Sequence, residues 1–79
     1  MPRFPIDAPK ARVLKALEAL RFSVVREREH IAMMRDNADG TRTFLTLPNH
    51  LTIKGSTLRT ICTKANIPRS EFLRAYSET

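Results

Sequence analysis

Two histidines, His30 and His50, are the side chains of this chain whose ordinary pKa lies close to neutrality. Proton transfer at physiological pH would fall to them first. Arg26 and Arg28 precede His30, Arg35 follows it, and Lys54 follows His50. Imidazole beside such cations suits chemistry on an anion, the ring moving a proton and the cations holding charge on oxygen. The plainer alternative is a set of solvated strand and hairpin residues with no chemical role, the usual fate of such side chains. His50 reads as an organiser of its loop, bonding to backbone or capping the next helix, rather than as a second proton-transfer group. No metal is expected: the histidines are widely spaced, and the single cysteine, Cys62, has no second thiol beside it. Gly55-Ser56-Thr57 resembles a phosphate cradle at a helix start, although a plain N-cap is the commoner reason for Ser and Thr there.

Charge points the same way. Fourteen Lys and Arg against eight Asp and Glu leave a formal net charge of +6 on 79 residues, with a pI near 10.5. That excess attracts polyanions, either nucleic acid or an acidic partner protein. A membrane surface fits less well, since no helix combines a basic face with a large aromatic or leucine face. Hydrophobic content of 42% excludes a disordered chain, and no apolar run approaches the roughly 20 residues of a membrane span. The start, Met1-Pro2-Arg3-Phe4-Pro5, is a short proline-braced arm without an apolar h-region, so no signal peptide is expected. With one cysteine and no such signal, a cytoplasmic location is expected. The length accommodates one domain, residues 1–79, with a single small core.

The elements that must position these groups follow from periodicity. Asp7 is placed as an N-cap with Pro9 in the first turn, and Val13, Leu14, Leu17 and Leu20 form the apolar stripe of a helix over roughly Pro9 to Leu20. Strands are expected over Phe22 to Arg26, His30 to Arg35 and Thr43 to Leu47. A turn at Glu27-Arg28-Glu29 joins the first two, and Asp36 to Gly40 the second pair, with Asp-Gly the strongest signal. Ile31, Met33 and Arg35 should share one face of the middle strand, His30, Ala32 and Met34 the other. Asn49 to Gly55 reads as a loop. A second helix carries Leu58, Ile61, Cys62 and Ala65 and stops at Asn66, and a third near Arg69 to Ser77 offers Phe72, Leu73 and Tyr76 to the core. The expected class is α+β, an α-β-β-β-α(-α) sandwich with a three-stranded antiparallel sheet and its helices on one face.

Three signals in this order carry a resemblance. One is a histidine at the start of the second strand, in Val24-Val25-Arg26-Glu27-Arg28-Glu29-His30. Another is Pro-x-His after the third, Pro48-Asn49-His50. The last is a basic residue, then Gly-Ser/Thr-Leu and an aliphatic helix, in Lys54-Gly55-Ser56-Thr57-Leu58-Arg59-Thr60-Ile61. From about Arg21 to Ile67 the chain resembles the HicA family of toxin ribonucleases, whose fold is similar to a double-stranded RNA-binding domain. The resemblance implies metal-independent cleavage of mRNA without a cofactor, a HicB-type antitoxin covering the active face, and a catalytic role for His30. RNA supplies its own nucleophile, the 2′-hydroxyl, so the protein need only move protons and stabilise charge. Arg26, Arg28, Arg35, His50 and Lys54 are the candidate RNA-binding residues.

Arg28-Glu29 stands where family members carry Gly followed by Ser or Thr. Glycine there permits a positive φ and close approach of backbone to phosphate. Arg28 would have to substitute a guanidinium contact. Glu29 either repels phosphate or pairs with His30 and holds one tautomer. Three readings stay open: a ribonuclease toxin, a module that holds RNA without cutting it, and a unit that binds an acidic antitoxin-like protein. Self-association through a sheet edge is neither favoured nor excluded.

Overall fold

The computed structural model describes residues 4–79; the first three residues of the N-terminal arm lie outside the described residues. The elements, in order, are β1 (Asp7–Pro9), α1 (Lys10–Ala19), β2 (Ser23–Glu27), β3 (His30–Asp36), β4 (Arg42–Pro48), β5 (Thr52–Lys54), α2 (Gly55–Lys64) and α3 (Arg69–Ser77). Strands β2, β3 and β4 form an antiparallel sheet in that spatial order, while β1 and β5 form a separate antiparallel pair. The domain is therefore α+β, with a three-stranded sheet and three helices, as the patterning predicts. The short pair is what the sequence did not reveal.

That pair changes how both long helices begin. Ala8 lies opposite Ile53, and the register continues beyond the strands. The Lys10 amide donates to the Leu51 carbonyl at 2.8 Å, and the Gly55 amide donates to the Ile6 carbonyl at 2.7 Å. Each helix thus has its first N–H satisfied by the strand opposite, where a side-chain cap would otherwise serve. Accordingly Asp7 is not an N-cap: it lies in β1, and Pro9 occupies the cap position with extended backbone and no side-chain bond. Nor do Ser56 and Thr57 cap α2, whose cap residue is Lys54. Asn49 to Gly55 is not all loop, because β5 lies within it. Glycine at 55 has a steric cause, since a Cβ there would run into the Pro5 carbonyl oxygen.

Both helices end in the same motif. After α1 the Phe22 amide bonds the Leu17 carbonyl at 3.0 Å and the Arg21 amide bonds that of Glu18 at 2.9 Å. After α2 the equivalent bonds run from Ile67 to Cys62 and from Asn66 to Thr63. These are Schellman caps, and they require a left-handed residue. Asn66 (φ 56°) suits that role; Arg21 (φ 75°) fills it at a steric cost.

The core lies between the sheet and the helices. Ile31 and Met33 of β3 and Leu45 and Leu47 of β4 are buried against Val13 and Leu17 of α1, Leu58 and Ile61 of α2, and Phe72 and Tyr76 of α3. Phe72 stacks on Tyr76, with ring centroids 5.9 Å apart. Leu73, expected in the core, is half-buried, and Leu14 and Leu20 pack at its margin. No described charged or polar side chain is buried.

The opposite sheet face is uncovered. Alternation along β3 and β4 places His30, Ala32 and Met34 there, paired with Pro48, Thr46 and Phe44. The neighbouring strand contributes Ser23 and Arg26, opposite Met34 and Ala32. An irregularity between Val24 and Arg26 leaves Val25 as an extra, exposed residue.

Candidate functional site

His30 opens β3 at one end of the uncovered face and is exposed. Its register partner is Pro48, the last residue of β4. Arg26 sits diagonally across the β2–β3 pair, since it opposes Ala32, two residues along from His30. Such neighbours lie about 7–8 Å apart between backbones, within reach of a guanidinium. Arg28, in the turn between these strands, is exposed as well, and its amide donates to the His30 carbonyl at 3.1 Å.

Asn49 holds this end together. Its side-chain amide donates to the Arg28 carbonyl at 2.7 Å, and its backbone amide donates to the Glu29 carbonyl at 3.1 Å. Its side-chain oxygen in turn accepts from Lys10 Nζ at 2.7 Å. One residue therefore ties the start of α1 and the exit of β4 to the turn that precedes His30. From its place in the loop after Pro48, His50 is the residue expected in that role. That assignment is corrected: His50 is exposed and makes no hydrogen bond among the described residues, and its neighbour does the work. Lys10, at the start of α1, is the second residue of this end that periodicity gave no reason to single out. The Pro48-Asn49-His50 motif marked the position, but only the folded register shows that Asn49 reaches the turn.

The structure separates the remaining candidates. Arg35 lies on the inward face near the far end of β3, where it packs over the Phe22 ring at 4.6 Å and bonds Asn37 Oδ1 at 3.1 Å and the Leu20 carbonyl at 3.3 Å. Five residue steps along the strand separate it from His30, about 17 Å at the usual rise. Lys54 lies opposite Asp7 in the β1–β5 pair and lines a separate cleft with Phe4, Gly55 and Arg59. His50 stands two residues beyond Pro48, so the fold does bring both histidines to one end of the sheet.

Glu29 makes no ion pair with His30; the one ion pair among the described residues is Arg42–Asp36, at 2.9 Å. Glu27 and Glu29 alternate with Arg26 and Arg28 through the end of β2 and the turn after it, so this end is a mixture of charges rather than a broad positive field. A grip on phosphate here would rely on aimed side chains. Among the described residues no group of three His, Cys, Asp or Glu side chains is arranged to hold a metal ion.

A cleft of about 670 Å³ opens at the opposite end of the molecule, between the Arg35–Ala38 segment and α3. Its charged lining is balanced, Arg21, Arg35 and Arg74 against Asp36, Glu71 and Glu78, and no histidine faces it. Size alone would favour that cleft, but the chemistry favours the His30 end. No family model matches the chain, and no curated protein or solved structure matches it. Among the described residues no helix is long and apolar enough to cross a membrane.

Proposed function

We propose that the protein is a metal-independent endoribonuclease of the HicA toxin type, acting on mRNA in the cytoplasm and held inactive by a HicB-like antitoxin. The observation that carries this reading is the exposed His30 at the end of an uncovered sheet face, with Arg26 and Arg28 beside it. A double-stranded RNA-binding-domain-like fold is part of the proposal. It is supported by a helix, three antiparallel strands and a further helix in that order, with the helices on one side.

In the proposed reaction His30 takes the proton of the 2′-hydroxyl as that oxygen attacks phosphorus in line. The P–O5′ bond breaks, and the leaving oxygen accepts a proton from the imidazolium or from water. Arg26 and Arg28 stabilise charge on the non-bridging oxygens. His50, at the same end, is a second imidazole that in its protonated form can give the leaving oxygen a proton of its own.

Arg28-Glu29 favours a second reading, in which the same face holds RNA or an antitoxin without cutting. Glycine would bring backbone amides to the phosphate there, whereas here the turn carries a carboxylate. Induced expression of the wild type beside His30→Ala separates the two. The ribonuclease reading expects growth arrest and fragmented bulk mRNA with the wild type only. His30→Ala should keep a melting temperature within a few degrees of wild type, because exposed substitutions of this kind change stability by about 0.5 kcal/mol or less. Harmless expression of both proteins with intact RNA would overturn it in favour of the binding module.

A further inference from the structure

The two edges of the three-stranded sheet differ. On one side β2 is five residues long, and the irregularity at Val25 breaks its register, as edges protected against further pairing commonly are. On the other side β4 runs seven residues in unbroken register with β3, from His30 opposite Pro48 to Asp36 opposite Arg42. Among the described residues its far side pairs with no strand.

The backbone groups presented on that far side can be identified. At either end of the β3–β4 hairpin, Asn37 N–H bonds the Thr41 carbonyl at 2.8 Å and Asn49 N–H bonds the Glu29 carbonyl at 3.1 Å. In an antiparallel ladder bonded and non-bonded pairs alternate, so Thr43, Leu45 and Leu47 bond toward β3. Arg42, Phe44 and Thr46 therefore turn their N–H and C=O groups outward, and none of these groups has an intramolecular partner among the described residues. Pro48 completes the pattern, because a proline is tolerated in a strand where its missing N–H would have faced an open edge.

Beside this edge runs α2, and between them lies a groove of about 390 Å³ lined by Phe44, Thr46, Thr57, Thr60, Ile61 and Lys64. A strand edge flanked by a helix groove can receive one extended segment, its backbone pairing with the edge and its alternate side chains entering the groove. Phe44 is 64% exposed and adds an apolar contact. Lys64 is the charged residue of this lining and has no ion-pair partner among the described residues. The chain carries +6 overall, which disfavours a second copy of itself and favours a segment bearing carboxylates.

We propose that the free edge of β4 takes an extended, acidic segment of a partner protein as a fourth strand, seated alongside α2 with a carboxylate against Lys64. The inference goes beyond the ribonuclease reading and does not depend on it, since no residue of the groove has a catalytic or RNA-binding role in that reading.

The test uses an array of decapeptides that alternate Val, Ile or Thr with Asp or Glu, beside a matched array carrying Lys or Arg. The strongest binder is then followed by amide exchange on the isotope-labelled protein. The expected result is binding by acidic members alone, with slowed exchange at the amides of Arg42, Phe44 and Thr46. N-methylation of alternate peptide amides should abolish it. Thr46→Pro removes an outward N–H while sparing the β3 ladder, and should weaken binding about tenfold or more at an unchanged melting temperature. Lys64→Glu should weaken it as well. No binding by any acidic member, equal binding by the basic array, protection away from β4, or a dimer paired through β4 would each overturn the proposal.

Discussion

His30 and Asn49 illustrate how differently a residue's importance is written in a sequence. Histidine is conspicuous by its chemistry, whereas Asn49 matters because three of its polar groups find partners on two other segments. Replacing it with alanine leaves the Lys10 ammonium and the Arg28 carbonyl to water, and frees the turn before His30. Asn49→Ala should cost about 1–2 kcal/mol. For a domain this size that is a melting temperature lower by roughly 5–15 °C in a thermal scan. His50→Ala, which breaks no bond, should leave the melting temperature unchanged. Cys62 gives a further prediction. It is almost wholly buried in the packed face of α2, and burial pushes its thiol from the ordinary 9.0 up to about 11, with Arg69 pulling weakly the other way. Between those values the unfolded chain loses the thiol proton and the folded chain keeps it, so stability falls as pH rises through that window. Urea midpoints at pH 8 and pH 10.5 should therefore differ less for Cys62→Ala than for wild type.

At the level of elements, the decisive device is the pairing of β1 with β5. It fastens the starts of α1 and α2 to each other, so neither helix needs a serine or aspartate cap. Gly55 packs against the backbone of Pro5, at the end of this pair. Gly55→Ala should destabilise by about 1–3 kcal/mol, the usual cost of forcing atoms into a packed contact. Because the obstacle is the Pro5 backbone, no side-chain rotation relieves it; chemical denaturation would read the loss. The helix ends make the opposite prediction. Arg21 is held at φ 75° by the Schellman bonds after α1, and its side chain is exposed. Arg21→Gly removes the left-handed penalty and should raise stability by roughly 0.5–1 kcal/mol in the same assay.

Across the whole molecule, the excess of basic residues divides into groups with separate roles. Arg12 bonds the Tyr76 carbonyl and covers the Tyr76 ring, fastening α1 to α3, and Arg35 is spent on Phe22 and Asn37. Arg26 and Arg28 remain free at the His30 end, among two glutamates. On the proposed function, single-stranded RNA bound there should engage only two or three phosphates. A plot of log affinity against log salt should then have a slope of about −1.5 to −2. Arg26→Gln should reduce that slope by roughly 0.7, read by fluorescence anisotropy across a salt series. A much steeper slope would place the RNA over a wider surface than this end provides.

The periodicities of the chain were sufficient for its three helices and the three strands of its main sheet, because amphipathic stripes report local geometry directly. Strand alternation also assigned His30, Ala32 and Met34 to one face and Ile31 and Met33 to the other. Asp7–Pro9 and Thr52–Lys54 were illegible as strands because three residues carry no period, and their pairing joins segments far apart in the chain. The same long-range pairing misdirected the capping assignments, since Asp7 and Ser56 have the right chemistry for a role the opposite backbone already fills. Alternation likewise placed Arg35 on the face of Ile31 and Met33, but local sequence could not tell that it covers the Phe22 ring or that Lys10 reaches Asn49. Those outcomes depend on which elements meet across the core, and that was decided only when the chain packed.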